Sequence, residues 1–457
     1  VNVHSVDDEG FRRRAGALLR SAANDLKRNT AASAEELGVT EEQIQEYFSG
    51  RHEIPGSVHS KAAAVWPLNE RDLLPVRNDC PEGVIVLDVA ASKSSSRVFQ
   101  REDIDYYEYR DTAMSRLASF RPEWIRMLSV VDDDDPNNPN VHWNKGHLLY
   151  QFTYFVGPVN YYYRWNGESH VLRMETGDSI WGLPFSPHTF TARNDSEPAY
   201  ILALTYGGEL MGDAQHELAA LGPSTARKFA WDENPWTTQI RLLRSHIDAA
   251  MLSVAEVAQR SKVTQDRITE LVEGAAIPSY SEIESLAAAL RVSVRDLLPV
   301  SPDSPGGISL VRAVDSRRWL YPSAQQADYS VRQLAGNKLH PYTRALEIQP
   351  LRDSDAAAIS THQHQYLYNV GETPMTMRWE YLGKRYEARL APGDSAYVMP
   401  FIPTSFTVDS APAAQASAAR LLALRIAGRI GVEARVALGS MHPGSLERLL
   451  NEDRQWY

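Results

Sequence analysis

The sequence predicts an α+β multidomain chain of two repeats, each a small all-α module followed by an all-β domain of sandwich or small-barrel type. Three observations carry this. The hexapeptide Arg71-Asp72-Leu73-Leu74-Pro75-Val76 returns 224 residues later as Arg295-Asp296-Leu297-Leu298-Pro299-Val300, and at the same offset Val39-Thr40, Ile44 and Gly50 return as Val263-Thr264, Ile268 and Gly274. Helix-like apolar spacing precedes each hexapeptide, and short β-branched and aromatic runs follow it. Inside the β segments, Gly177-Asp178-Ser179 and Pro184-Phe185-Ser186-Pro187-His188 return as Gly393-Asp394-Ser395 and Pro400-Phe401-Ile402-Pro403-Thr404. Histidine is the side chain most suited to metal ligation and proton transfer near neutral pH. Its loss from the second copy singles out the first as the working site.

Residues 1–77 read as the first helical module. Thr40-Glu41-Glu42-Gln43 makes a capping box before Ile44 and Tyr47, and Gly50 closes that helix. Residues 78–220 form the first β domain, with strands expected at Val84-Ile85-Val86-Leu87, Tyr150 to Val156, Tyr161 to Trp165 and Tyr200 to Tyr206; the acidic run from Val131 to Pro139 is a solvated loop. Residues 221–300 hold a linker helix and the second helical module, in which Thr264 opens the helix that Gly274 closes. Residues 301–457 form the second β domain, with a linker at Ala411 to Ala419. Both helical modules look like the five-helix helix-turn-helix fold of phage-repressor type.

With 457 residues, 43% hydrophobic and 23% charged, the chain has ample core for a soluble globular protein. The single cysteine, Cys80, excludes an intramolecular disulfide framework and reads as a small buried filler. No basic segment followed by an apolar run opens the sequence, and no apolar run reaches the roughly eighteen residues of a membrane span, so a cytoplasmic, membrane-free protein is expected. A net charge of −11 disfavours a polyanionic partner. The candidate recognition helices, Glu41-Glu42-Gln43-Ile44-Gln45-Glu46 and Gln265-Asp266-Arg267-Ile268-Thr269-Glu270, are acidic and roughly neutral. Despite Arg51, Arg267 and the Arg12-Arg13-Arg14 cluster, no nucleic-acid partner is expected. The modules read as packing and dimerisation units, which leaves room for a homo-oligomer.

Asn144-Lys145-Gly146-His147-Leu148-Leu149-Tyr150-Gln151, followed by Gly177-Asp178 and Pro187-His188, resembles the two motifs of the cupin superfamily, whose fold is a double-stranded β-helix. That resemblance makes His147, Gln151 and His188 the metal ligands, with Lys145 where the motif's remaining histidine would stand. Three ligands leave positions open for substrate and dioxygen, as a non-haem Fe(II) oxygenase needs. Residues i and i+4 of a straight strand lie about 13 Å apart, so a bulge or bend between His147 and Gln151 is required. An amide oxygen in place of a carboxylate removes one negative charge and strengthens attraction for an anionic substrate. Glu175 and Asp178 are competing carboxylates that more simply serve the turn around Gly177; His142 and His170 are weaker alternates. In the second β domain Thr361 falls opposite His147 and Gln365 opposite Gln151, while His362 and His364 have no downstream partner. That domain reads as degenerate and structural.

A helix-turn-helix module fused to a cupin, twice over, resembles the family of 2-hydroxyethylphosphonate dioxygenase and methylphosphonate synthase. The best known dioxygenase pattern carries a glutamate ligand six residues before the last histidine, where this chain has Gly182; the chain instead shares the glutamine-type triad of the synthase. The resemblance implies Fe(II), dioxygen and a phosphonate substrate. It implies C–C cleavage of 2-hydroxyethylphosphonate to hydroxymethylphosphonate and formate, with all four electrons from the substrate and no 2-oxoglutarate. The alternative outcome is methylphosphonate and carbon dioxide. A further alternative is a cupin-type DNA-binding regulator. Carried over residue by residue, the resemblance gives Arg101, Tyr109 and Asn144 to the phosphonate, and Lys27 to an active site; Lys27 and Tyr109 are the candidate catalytic groups. Met251 stands at the place of Lys27 in the second repeat, and Arg425 is a weak candidate. A phosphonate independently calls for a guanidinium fork, a phenol and an ammonium near the metal. The residues alone leave open that Arg101 and Lys27 are ordinary solvated charges.

Overall fold

The computed structural model describes residues 8–118, 120–231, 234–300, 304, 306–340, 343–408 and 418–455. The opening residues 1–7 and residues 411–417 of the expected linker lie outside the described residues. The first helical module comprises Asp8–Asp25, Thr30–Leu37, Glu41–Ser49, Gly56–Val65 and a 3-10 turn, Glu70–Leu73. Its capping box is formed as expected: the Thr40 hydroxyl accepts from the Gln43 amide (3.2 Å) and the Gln43 side chain accepts from the Thr40 amide (2.9 Å). Gly50 ends the helix in the left-handed region (φ 71°), and a Cβ there would stand 2.5 Å from the Arg13 backbone, so glycine is required twice over. Leu19, Ile44, Ala62 and Leu73 fill the core. The second module, Pro235–Ala249, Val254–Ser261, Gln265–Glu273, Tyr280–Leu290 and Val294–Leu297, repeats this plan around Val257, Ile268, Leu286 and Leu297.

The repeated hexapeptide fastens modules to the rest of the chain. Leu73 and Leu297 are buried in their module cores, while Arg71 pairs with Asp213 (3.0 Å) and Arg295 with Glu433 (2.9 Å). Asp213 and Glu433 sit in the first turns of Asp213–Leu221 and Val432–Ser440, the helices that follow the two β regions. Arg51 pairs with Glu46, and Arg267 with Glu270 and Glu282, so the cations nearest the candidate recognition helices already have carboxylate partners.

Two seven-stranded antiparallel sheets have the same internal order. One runs Ile308–Val311, Ser179–Gly182, Tyr150–Val156, Tyr200–Tyr206, Phe120–Met127, Ile104–Asp111, Arg97–Arg101; the other runs Val84–Leu87, Ser395–Val398, His364–Asn369, Leu421–Ile426, Arg344–Pro350, Ala327–Gln333, Arg318–Pro322. Each faces a three-stranded sheet, Glu168–Met174, Val159–Trp165, His188–Ala192 in the first half and Lys384–Leu390, Met375–Tyr381, Thr404–Val408 in the second. The expected boundaries at 78 and 301 do not follow these sheets. Val84–Leu87 pairs with Ser395–Val398, and Ile308–Val311 pairs with Ser179–Gly182, so each half lends one short strand to the other. The β-branched run marked Val84–Leu87 as a strand, but such a run carries no information about its partner.

The Gly-Asp-Ser echo latches this exchange. Asp178 accepts from the Ala313 amide (2.8 Å) and from Arg312 (2.7 Å), just beyond the strand lent to the first sheet. Asp394 accepts from the Val89 amide (2.7 Å), just beyond the strand lent to the second. Ser179 accepts from the Ala335 amide (3.0 Å) and Ser395 from the Ala113 amide (2.8 Å). Between the sheets, Phe152, Tyr154 and Trp181 pack with Tyr366, Tyr397 and Leu424, and buried Cys80 belongs to the same core; burial pushes its thiol up to about 12. Among the described residues no helix is long and apolar enough to cross a membrane.

One buried charge stands in this interface. Glu347 accepts from Tyr154 (2.8 Å), Arg332 (2.5 Å) and Arg318, and Arg332 also donates to the Gly177 carbonyl (3.1 Å). Burial opposes ionisation of Glu347, yet Arg332, the Tyr154 hydroxyl and Arg318 outweigh it and hold the carboxyl below its ordinary value. Its stabilising contribution is therefore complete above the unfolded carboxyl pKa and is lost as pH falls through the lower folded value. Glu347→Ala, which strands Arg332, is expected to cost about 3–5 kcal/mol in urea unfolding, while Glu380→Ala at the surface costs under about 0.5 kcal/mol. Equal losses in the two variants contradict the role given to Glu347.

Candidate active site

The first half contains a cavity of about 280 Å³ whose walls include His147, Gln151, His188, Asn144, Arg101 and Tyr109. These are the sequence-nominated site residues except Lys27. The chain bends at Leu148 and Leu149 before the strand begins at Tyr150, which brings His147 back over Gln151 as the spacing required. Gly146 permits the bend. It lies at φ 74°, and a Cβ there would stand 2.5 Å from the Phe185 backbone. The Phe185 amide then donates to the His147 carbonyl (2.7 Å), tying the two motifs together; the Phe401 amide makes the same bond to Thr361.

Each imidazole is oriented by a backbone carbonyl. His147 Nδ1 lies 2.9 Å from the Leu149 oxygen and His188 Nδ1 lies 2.9 Å from the Ser186 oxygen, which places the proton on Nδ1 and the lone pair on Nε2 in both rings. The ring centroids are 5.2 Å apart. Gln151 donates through Nε2 to Thr153 (2.9 Å), leaving its carbonyl oxygen 3.1 Å from His147 Nε2. Two acceptors therefore face each other with no proton between them, an arrangement that calls for a cation. Burial depresses His188 to about 4, so it is neutral at physiological pH, the form a metal ligand needs. Nitrogen and neutral oxygen donors of this kind fit Fe(II). Among the described residues no three His, Cys, Asp or Glu side chains gather as a metal group, because here the third donor is an amide.

Gln151 and Gly182 are direct neighbours in adjacent strands. Such pairs have Cα atoms about 4.5–5.5 Å apart, so a side chain from either position reaches the same place. An amide from 151 thus stands where the resemblance puts a glutamate at 182. Asn144 closes the ligand shell: its oxygen accepts from the amides of His188 (2.8 Å) and Gly146 (2.9 Å), and its Nδ2 lies 3.2 Å from His188 Nε2.

Arg101 is a fixed cation rather than a solvated one. It donates to Thr189 (3.0 Å) and the His142 carbonyl, and its guanidinium lies 5.0 Å from the Tyr106 ring and 4.9 Å from the Tyr107 ring. Burial raises Tyr109 to about 12, so its phenol remains a donor. Lys27 is not brought to the cavity of its own chain. It ends the first helix at φ 60°, exposed, with Nζ 3.3 Å from the Asn24 carbonyl; Met251 holds the matching place at φ 53°. Glu175 pairs with Arg193 and Asp178 with Arg312, His142 with Glu102 (3.1 Å), and His170 stacks on Tyr163, so none of these alternates enters the site.

Arg121, Glu123 and Thr205 also line the cavity and escaped the sequence reading. No motif marks them. Their signal is the register, which places Arg121, Thr205 and Gln151 in one row across three strands. In the second half the matching row is Arg344, Arg425 and Gln365, and Thr361 and Thr404 replace the histidines.

Two imidazoles and an amide oxygen facing one cavity beside a fixed guanidinium suit a class, the non-haem iron enzymes acting on an anionic substrate. A family model described as a helix-turn-helix domain matches residues 238–299. Methylphosphonate synthase of Nitrosopumilus maritimus (strain SCM1) is 37% identical over 449 residues, 97% of this chain and 95% of that protein. The structure of Streptomyces albus HEPD with 2-hydroxyethylphosphonate and Fe(II) bound is 50% identical, with a TM-score of 0.92 over 99% of this chain and 100% of that one. A cadmium-bound PhpD shares the fold at 17% identity, with a TM-score of 0.70 over 95% and 99% of the two chains. The chain belongs to the family of 2-hydroxyethylphosphonate dioxygenase and methylphosphonate synthase.

Metal analysis checks the ligand set. Purified protein is expected to retain roughly one iron per chain, Gln365→Ala to keep it and His188→Ala to lose it. Iron retained by His188→Ala removes that histidine from the site.

Proposed function

We propose that this chain is a non-haem Fe(II) dioxygenase that cleaves the C–C bond of 2-hydroxyethylphosphonate to hydroxymethylphosphonate and formate. The substrate supplies all four electrons, and no 2-oxoglutarate is needed. The single observation that carries this is the meeting of His147, Gln151 and His188 with Arg101, Tyr109 and Asn144 around one cavity. The 50% identity to a dioxygenase seen with this substrate and Fe(II) supports it. Iron, when bound, supplies dioxygen activation and a Lewis acid for the substrate's oxygens.

The chain's own groups do the rest. Arg101, pinned by Thr189 and the His142 carbonyl, offers the phosphonate a donor whose orientation is already settled. Tyr109 donates its phenolic hydrogen to the same group. The Asn144 amide, held through its oxygen, aims its nitrogen at the ligand shell and positions a substrate oxygen there. Neutral ligands leave the metal's positive charge intact for an anionic substrate. Lys27 enters only through a second copy, because in its own chain it lies outside the cavity, so a homo-oligomer belongs to the proposal. The division proposed is two helix-turn-helix modules, 1–77 and 221–300, and two cupin-type double-stranded β-helices, 78–220 and 301–457, each lending its first strand to the other; the matching sheet orders support the pairing of the two β domains. The reaction is assigned to the cytoplasm, with neither membrane nor nucleic acid as partner; a sharp mobility shift with one genomic DNA fragment favours the regulator instead.

A second outcome, methylphosphonate and carbon dioxide, is supported by the 37% identity to a methylphosphonate synthase. Phosphorus NMR of Fe(II)-loaded protein turning over 2-hydroxyethylphosphonate in air separates them. Hydroxymethylphosphonate with formate is expected, and a methylphosphonate signal without formate assigns the synthase reaction. Arg101→Ala is expected to weaken substrate binding by about 1.5–3 kcal/mol, read by calorimetry on the iron-loaded protein. Unchanged affinity takes the phosphonate away from Arg101. Mixing two inactive variants, Lys27→Ala and His188→Ala, is expected to restore partial turnover if Lys27 crosses between copies; mixtures as inactive as their parts refute that crossing.

A further inference from the structure

In the second half, Arg425, Arg344 and Gln365 lie side by side on three adjacent strands, in the row that holds Thr205, Arg121 and Gln151 in the first. Registered cross-strand neighbours share a face. This face is the inner one, because Val331, Ile348, Leu367 and Ala423, also on it, pack into the core of the second half. The charges on it do not balance. Arg425 is half-buried and donates through Nε to the Gln365 carbonyl (3.1 Å), and among the described residues neither Arg425 nor Arg344 has a carboxylate within ion-pair distance. Burial depresses Arg425 below its ordinary value, but a guanidinium does not release its proton in a protein. Two like charges directly opposite one another add repulsion. Gln365 spends its oxygen on Arg425, and its buried Nε2 has no partner.

Every unmet group here is a donor or a cation, and an anion with several acceptor oxygens satisfies all of them at once. Arg344 also lines a cavity of about 740 Å³ at this end of the sheet, together with Arg317 and Gln333 and with no Asp or Glu among its described lining residues; Arg425 and Gln365 lie beyond its wall. It lies where the first half is closed by a helix. Nine residues, 88–96, join Leu87 to Arg97 there and include Val89–Ser94, whereas six residues, 312–317, join Val311 to Arg318 without a helix. In a chain of net charge −11, a concave surface on which Arg344 and Arg317 stand with no acid among the described lining residues is a local reversal of sign.

We propose that the second β domain binds a small tetrahedral oxyanion, of the phosphate or phosphonate class, between Arg425, Arg344 and the Gln365 amide. This site holds no metal and is separate from the one around His147.

The test uses the full chain titrated with inorganic phosphate, and in parallel with 2-hydroxyethylphosphonate, by calorimetry and by thermal melting, with chloride at matched ionic strength as control. Saturable phosphate binding is expected to persist in Arg101→Ala and to weaken about tenfold or more in Arg344→Ala and in Arg425→Leu. Phosphate is expected to raise the melting temperature of the unaltered chain and leave that of Arg425→Leu unmoved. Arg344→Ala alters an exposed side chain, so it keeps the test valid if Arg425→Leu folds poorly. Binding of phosphate alone, or of both anions, supports the site and identifies its source. Binding lost only in Arg101→Ala, equal response to chloride, or no saturable binding overturns the proposal without touching the assignment of the reaction.

Discussion

The cavity that gathers His147, Gln151 and His188 depends on a strand the first half does not own. Ile308–Val311 closes the edge of the first seven-stranded sheet by pairing with Ser179–Gly182, which in turn pairs with the strand carrying Gln151. Ile308, Gly182, Gln151, Thr205 and Arg121 therefore form one continuous row. An open edge next to a ligand-bearing strand leaves backbone donors and acceptors unpaired and its register weakly defined. Supplying that edge from the other half fixes both. A half whose two matching positions hold Thr361 and Thr404 thus completes the sheet that carries Gln151. Asp178 and Asp394 secure the two crossings with equivalent backbone contacts, which accounts for a Gly-Asp-Ser echo outlasting the loss of the ligands.

The ligand substitution has a simple geometric basis. Because Gln151 and Gly182 are neighbours in register, a donor can come from either strand without moving the metal, provided the other position is small or turned away. With glycine at 182 the amide at 151 has the place to itself. Its nitrogen is held by Thr153, so only the oxygen faces inward. The proposed donor set holds no carboxylate and Arg101 stands beside it; the acid on the cavity wall is Glu123, whose carboxyl burial holds above its ordinary value. Attraction for a phosphonate is then set by metal and guanidinium together.

Much of this was legible in the residues, and what was not has physical reasons. The caps at Thr40 and Gly50 depend on local chemistry and came out as expected. The bend between His147 and Gln151 followed from strand rise alone, and Gly146 allows it. The strand exchange was invisible, since the apolar run Val84–Leu87 reads the same whichever sheet receives it. Arg121, Glu123 and Thr205 were missed because cavity membership came from register across strands distant in sequence. Lys27 was carried over on alignment with a family position, and alignment fixes a residue's place on a helix without fixing which copy's cavity that helix approaches. Arg425 was weighed only as a contact to substrate; its meaning depends on Arg344 and Gln365, neighbours that the sequence places 81 and 60 residues away.

The helical modules tie their cations to carboxylates of the same chain. Reading DNA requires free cations on an open helix face. Here Arg51 is taken by Glu46, and Arg267 by Glu270 and Glu282. Arg71 and Arg295 reach away to the first turns of the helices after each β region, where acidic side chains are favoured by the helix dipole. Exposed pairs of this kind add little stability singly, but they specify direction. Combined with Leu73 and Leu297 in the module cores, they make the repeated hexapeptide a hinge point with one end buried in the module and the other fastened to the chain beyond the sheet. A module fixed in that way needs its capping and core residues for packing, whatever charge its outer face carries.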